Sequence, residues 1–398
     1  MCSNSSKNKE RQARANGYFY LRSAGIAYYK IMSFWILFAA KVSRDFSYIR
    51  HMNKQEKIKN FDPNSVGDVN ANMFGLPFTT QESETVLIPV PWEVTVSYGG
   101  GTIDGPQQIF DASFQVDLYD PIVKDAWKMG IAMDDFSEEL REKSEIYRPV
   151  AEIIIDRQCN GEPSSEIEEI KDVNKVCEEM NAWVKQRVLH FLKQKKSVGL
   201  IGGDHSTPLG MIDALGEHFG EFAILQIDAH ADLRVAYEGF EYSHASIMYN
   251  ALKRHSVQKL VQVGIRDYCQ AELEIINNSN GRVKTFFDRD IKQQQYKGKS
   301  WDTICQEIVA ELPQNIYLSF DIDGLDPKLC PGTGTPVAGG FETDQVLYLL
   351  EQVVASGKTI IAFDINEVGG EDEWNANVAS RLLYRIANLA AHSQGKKA

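Results

Sequence analysis

The stretch FAILQIDAHADLR, residues 222–234, sets an apolar run directly before Asp228, His230 and Asp232. A run this apolar reads as a strand covered on both faces, and an extended chain sends positions i, i+2 and i+4 to one side. Three ionisable side chains would then converge on one small volume from which water is largely excluded. Desolvated charge is costly unless compensated, so two carboxylates and an imidazole gathered in this way call for a cation.

The same alternation of apolar run and polar turn recurs along the chain. Short β-branched runs occur at 85–90 (TVLIPV), 197–203 (SVGLIGG), 222–228, 259–265 (KLVQVGI), 283–288 (VKTFFD), 315–323 (NIYLSFDID) and 359–366 (TIIAFDIN). Helix-length patterns lie between them, at about 166–196, 207–219, 244–254, 300–312, 343–356 and 376–392. Strand and helix in alternation predict a three-layer α/β/α fold with a mostly parallel sheet. In such sheets the ligand site lies beyond the carboxyl ends of the strands. The polar clusters obey this: GGDHS (202–206), DAHAD (228–232), DIDGLDP (321–327) and NEVGGEDEW (366–374) each follow a strand candidate.

Taken singly, GGDHS also reads as a helix-capping turn and DIDGLDP as a polar turn punctuated by Gly324 and Pro327. Jointly they supply His205, Asp228, His230, Asp232, Asp321 and Asp323 to one sheet edge. Four negative charges balance two divalent cations, as in two-metal hydrolytic sites. Carboxylate-rich ligation without thiolates suits Mn²⁺ better than a structural zinc, and the imidazoles also admit Ni²⁺, Co²⁺ or Zn²⁺.

The 398 residues are 43% apolar with a formal net charge of -13, which speaks for a sizeable core and against nucleic acid as a partner. Residues 1–51 differ from the rest: nine Lys/Arg stand against Glu10 and Asp45. They read as a basic, poorly ordered extension before a catalytic domain at 52–398, with Met52 as a second candidate start. Within them IMSFWILFAA (31–40) is shorter than a bilayer span, so no membrane crossing is expected, although a targeting role stays open. Residues 134–196 read as a charged, mainly helical insertion, a solvated lobe interrupted by CNGEPSS. The six cysteines show no paired spacing, which fits reduced thiols in a cytoplasmic protein. YGGGT (98–102) lacks a following Gly-Lys-Ser/Thr and is not a phosphate loop.

The motifs GGDHS, DAHADLR, SHAS, SFDIDGLDPKLCPGTGTPVAGG and DINEVGG resemble those of the ureohydrolase family, over roughly residues 84–392, with GTIDGP (101–106) fitting an early family loop. The resemblance implies an arginase-like fold, homo-oligomers such as trimers or hexamers, and hydrolysis of a guanidino group. It implies that His205 and Asp232 bind one metal, His230 and Asp323 the other, and that Asp228 and Asp321 bridge. It further assigns Asp232 as proton donor to the leaving amine, Glu367 as the carboxylate that orients the guanidinium, and His244 as a proton relay. His51, His190, His218, His255 and His392 read as surface or packing residues, and Cys330 as an inert thiol.

One departure bears on the substrate. Family members acting on arginine usually carry Asn two residues beyond DxHxD, where this chain has Arg234. DLR and PGTGTP look more agmatinase-like, and PVPWEVTVSYGGGT (89–102) with the tail GGEDEWNANVASRLLY resembles a branch that includes guanidine hydrolases. Trp92, Tyr98 and Trp374 are expected to narrow the pocket around a small cation such as agmatine or free guanidine. The alternatives are a formimino-group hydrolase, with Arg234 serving an acidic substrate, and a metal-binding regulator without turnover.

Overall fold

A computed structural model of the chain describes residues 52–370 and 372–398. The chain divides into two units, 1–61 and 62–398, a boundary beyond the charge change at residue 51. In the first unit the described part carries the helix Lys54–Asn60, begun by a reciprocal cap. The Asn53 side chain accepts from the Glu56 amide at 3.1 Å and the Glu56 carboxylate accepts from the Asn53 amide at 2.9 Å. The apolar run 31–40, Cys2 and His51 lie outside the described residues. No helix among the described residues is long and apolar enough to cross a membrane.

The second unit is built on eight parallel strands: β1 (Thr85–Pro89), β2 (Ile131–Met133), β3 (Ser197–Ile201), β4 (Phe222–Ile227), β5 (Val257–Val263), β6 (Val283–Phe286), β7 (Asn315–Phe320) and β8 (Thr359–Ile365). Their order across the sheet is β2-β1-β3-β8-β7-β4-β5-β6. Seven were expected from the sequence. The eighth, β2, is a three-residue edge strand paired with β1 alone, too short to show a period.

Of the two helices of residues 134–196, Glu138–Cys159 lies mostly at the surface as expected, whereas Ile170–Lys193 does not belong to a solvated lobe. Val173, Val176, Met180, Val184 and Val188 recur at helical spacing and are buried in the main core with Val86, Leu200 and Leu209. Charge occupies the outer face of Ile170–Lys193 and an apolar stripe its inner face, so a charged composition concealed a core helix.

β3 and β4 follow one another in the chain yet stand apart in the sheet, with β8 and β7 between them. Such a switch in strand order opens a crevice at the carboxyl edge. The four polar loops leave from these four neighbouring strands and are laced together: the Gly202 amide donates to Ile365, Glu367 to Gly203, Asn366 to Phe320 and Asp321 to Ile227, at 2.8 to 3.0 Å. The lacing brings backbones very close. A Cβ on Gly203 would sit 1.8 Å from the Trp92 carbonyl oxygen, whereas one on Gly100 would meet only the Glu93 carboxylate at 3.7 Å. Gly203→Ala should therefore cost about 2–3 kcal/mol or more and lower the melting temperature by roughly 3–5 °C, with Gly100→Ala close to wild type. Equal melting temperatures for the two variants would show that the loops are not packed in this way.

Candidate metal centre

All six side chains expected to meet do meet. His205 Nδ1 lies 3.1 Å from Asp228 Oδ2, 3.0 Å from Asp232 Oδ2 and 3.3 Å from Asp321 Oδ2. His230 Nδ1 lies 2.9 Å from Asp323 Oδ2 and 3.7 Å from Asp228 Oδ1. Two triads have the spacing to hold a metal ion, His205-Asp228-Asp321 and Asp228-His230-Asp323. Asp228 belongs to both, one oxygen toward each imidazole.

The route to this geometry differs from a simple extended strand. β4 ends at Ile227, and Asp232 has φ 54°, in the left-handed region that few non-glycine residues adopt. The loop turns at Asp232 to aim its carboxylate at His205. Glu367 is also left-handed, with φ 63°. Backbone strain at two residues of one site is tolerated where the surroundings over-determine it. The Asp228 carboxylate accepts from the His230 amide at 2.6 Å and from Gln226 Nε2 at 2.7 Å. Asp321 accepts from the Asp323 amide at 2.8 Å, and Asp323 from the Ala229 amide at 3.0 Å.

The electrostatics are those of a cation site. Burial, reinforced by Asp228, pushes Asp232 up to about 7, and burial with Asp323 lifts Asp228 and drives Asp321 well above the carboxylate range. Burial opposes charge on the imidazoles, yet the surrounding carboxylates outweigh it: His205 is raised well above its ordinary value and His230 to about 11. Asp323 is held down to about 2, against its burial, by His230. The cluster draws in positive charge from whatever source is present. His205 Nδ1 is buried and makes no hydrogen bond, while Nε2 lies 2.9 Å from Ser319 Oγ. With Nε2 protonated toward the serine, a bare lone pair faces three carboxylates, an arrangement that takes up a cation, whether a proton or a metal ion.

Beyond the cluster, a cavity of about 460 Å³ is lined by residues including Ser97, Tyr98, Arg234, Tyr237, His244 and Asp267. Tyr98 is exposed at its edge and Arg234 stacks over Tyr237 at 4.7 Å. Burial, with a further contribution from His230, lowers His244 to about 4. Glu367 is not among the residues that line this cavity: it is buried behind Gly334, its Oε1 accepts from the His205 amide at 2.8 Å, and burial together with Asp204 raises its carboxyl.

Two expected pocket residues are elsewhere. Trp92 is fully buried in the main core, where its apolar bulk packs better than it would at a wet mouth. Trp374 begins the helix Glu373–Ser393, donates to the Lys328 carbonyl at 3.0 Å and lines a separate groove with Leu347 and Arg381. Cys330 is buried against the Ile322 carbonyl at 3.2 Å, and burial raises its thiol far from reactivity. His190, His218, His255 and His392 are exposed.

The residues that support the ligands escaped notice in the sequence. Gln226, Ser319 and Asp364 are polar side chains wholly buried within otherwise apolar strands. The signal was there to find: each is the odd residue in a run such as FAILQI, NIYLSF or TIIAFDI.

Comparison with known proteins agrees with this geometry. The chain is 29% identical over 316 residues to the N(1)-aminopropylagmatine ureohydrolase of Thermus thermophilus, covering 79% of this chain and 93% of that one. It is 30% identical over 231 residues to the agmatinase of Escherichia coli, covering 55% and 68%. Agmatine ureohydrolase of Thermoplasma volcanium shares the fold, with TM-score 0.61, 21% identity and coverage of 86% and 99%, as does proclavaminate amidinohydrolase from Streptomyces clavuligerus, with TM-score 0.62, 20% identity and coverage of 82% and 99%. The profile of the arginase family matches residues 83–390, and the chain belongs to that family as a ureohydrolase, an enzyme that cleaves guanidino C–N bonds.

Proposed function

We propose that the cluster holds two divalent cations, Mn²⁺ or Ni²⁺, and that the chain hydrolyses a small cationic alkylguanidine such as agmatine, releasing urea and an amine. The observation that carries this reading is the sharing of Asp228 between the two triads. A carboxylate that offers one oxygen to each of two sites could bridge them, and Asp321, in the triad with His205, would add a further carboxylate to that pair of sites. His205 with Asp232 and His230 with Asp323 complete the two positions. Two bound cations would lower the pKa of a water between them and so supply a nucleophile at neutral pH.

The remaining tasks fall to this chain's own side chains. Asp232 contacts His205 with one oxygen and also borders the cavity, so it is placed to hand a proton to the departing nitrogen. Glu367, anchored to the His205 amide, offers its other oxygen toward Gly334 on the cavity wall and would orient a guanidinium by charge and hydrogen bonding. His244 lines the cavity and stays neutral near pH 7, so it accepts a proton only in passing, as a relay to solvent requires.

The cavity also bears on the substrate. With Trp92 and Trp374 away from it, its volume of about 460 Å³ is open to an alkyl chain and would leave free guanidine surrounded by water. That favours agmatine or its N-aminopropyl derivative, in keeping with what the relatives are named for, over the free guanidine that the sequence alone kept in play. Among the described residues Arg234 is the one Lys or Arg lining the cavity and it stacks on Tyr237, while Asp232, Asp267 and Glu272 line the same cavity with carboxylates, which does not suit the acidic substrate of a formimino hydrolase.

His205→Ala and Asp323→Asn should each lose bound metal and lower turnover by roughly three orders of magnitude while far-ultraviolet circular dichroism is unchanged. Full activity in metal-stripped protein would refute the mechanism. Urea release measured from agmatine, N-aminopropylagmatine, guanidine, guanidinobutyrate and arginine, each with Mn²⁺ or Ni²⁺, should be fastest with one of the first two; a preference for guanidine would overturn the cavity argument. Glu367→Gln should raise KM for the favoured substrate by about tenfold or more, and an unchanged KM removes its orienting role.

A further inference from the structure

Asp364 on β8 is wholly buried, and its carboxylate gathers four donors. The Phe320 amide donates at 3.1 Å and the Ser319 hydroxyl at 3.3 Å, with Tyr317 and Asn366 closer still. Ser319 in turn stands 2.9 Å from His205 Nε2. A hydroxyl has one proton. When it points to the anionic Asp364, its lone pair is left for Nε2, which must then carry the ring proton and leave Nδ1 bare toward Asp228, Asp232 and Asp321. The opposite arrangement would place a serine lone pair against a carboxylate oxygen between two wholly buried residues, where such repulsion is costly. Among the described residues His230 has no such support: its Nε2 reaches only the exposed Asp267, 4.0 Å away.

We propose that Asp364 is a positioning residue that acts through the Ser319 hydroxyl, holding His205 in the tautomer and orientation that present Nδ1 to a cation. Resting on the two-cation reading, this gives one of the two positions a buried supporting carboxylate that the other lacks. Groups of this kind, one bond removed from a ligand, typically account for 10–100-fold in metal affinity.

The test uses the full chain, stripped of metal and titrated with Mn²⁺ or Ni²⁺ against a competing chelator, with electron paramagnetic resonance to separate paired from single Mn²⁺ ions. Ser319→Ala and Asp364→Asn should each weaken one of the two positions by about 10–100-fold and leave the other within about threefold of wild type. Paired-ion signal should give way to single-ion signal at Mn²⁺ concentrations that saturate the wild type. Since the two residues act in series, the double variant should bind no more weakly than the poorer single one, whereas independent structural damage would add. Ser319→Ala leaves the other three donors of Asp364 in place, so it decides the question if Asp364→Asn folds poorly. Wild-type protein that takes up neither Mn²⁺ nor Ni²⁺ overturns the metal reading itself. Wild type binding two ions, with Ser319→Ala binding two at equal affinity, overturns the relay alone.

Discussion

Four carboxylates packed around two imidazoles at the dry edge of a sheet can be held there only by shared positive charge. Burial, reinforced by mutual repulsion among Asp228, Asp232, Asp321 and Asp323, lies behind the upward shifts of three of them, and His230 is what keeps the fourth ionised. The architecture exists to enforce that proximity. Residues separated by more than a hundred positions in sequence are brought together because β3, β8, β7 and β4 are neighbours in the sheet. Their loops are fastened by backbone hydrogen bonds before any side chain is considered. Left-handed backbone at Asp232 and Glu367 is the local cost of the final aim.

Much of this was legible beforehand, for a physical reason. A buried parallel strand must be apolar along its length, so the polar residue that ends it stands out, and the ends of parallel strands share one edge. That logic found all six clustered residues and seven of the eight strands. It failed where the cue was composition. The charged stretch at 134–196 hides a core helix, because an average over a helix discards the phase of its apolar stripe. Trp92 and Trp374 were assigned to the pocket from chemical type, but a large apolar ring near a motif in sequence has no directional information. Alternation in DAHAD pointed to the right convergence by an incomplete route, since the turn at Asp232 is a property of φ, and side-chain identity does not announce it.

The cluster and the cavity answer to different parts of the chain. The clustered side chains come from the first residues beyond β3, β4 and β7, in loops fastened to one another by backbone hydrogen bonds, while much of the cavity wall comes from loops around Tyr98, Tyr237, Asp267 and Gly334. Loops tolerate substitution that the fastened turns at strand ends do not. Relatives with different named substrates can therefore share one centre, and the family match weighs heavily on reaction type and lightly on the choice of alkylguanidine.

The buried polar residues of the strands divide into two chains of opposite polarity that serve one end. On the β4 side Thr285 donates to Gln262 at 2.8 Å, Gln262 to Gln226 at 2.7 Å and Gln226 to the Asp228 carboxylate at 2.7 Å, so every dipole points a proton at an anion. On the β8 side the polarity reverses: His205 Nε2 faces the Ser319 oxygen and Ser319 faces the Asp364 carboxylate, so the chain ends in an acceptor that takes the imidazole's proton away from the cluster. A run of donors stabilises Asp228 as an anion, and a run of acceptors stabilises His205 with Nδ1 free. The first run offsets part of the burial and crowding that lift the Asp228 carboxyl, and the second leaves the His205 face toward the carboxylates to whichever cation, proton or metal ion, is present. An apolar substitute in either run would remove that orientation and leave the burial in place.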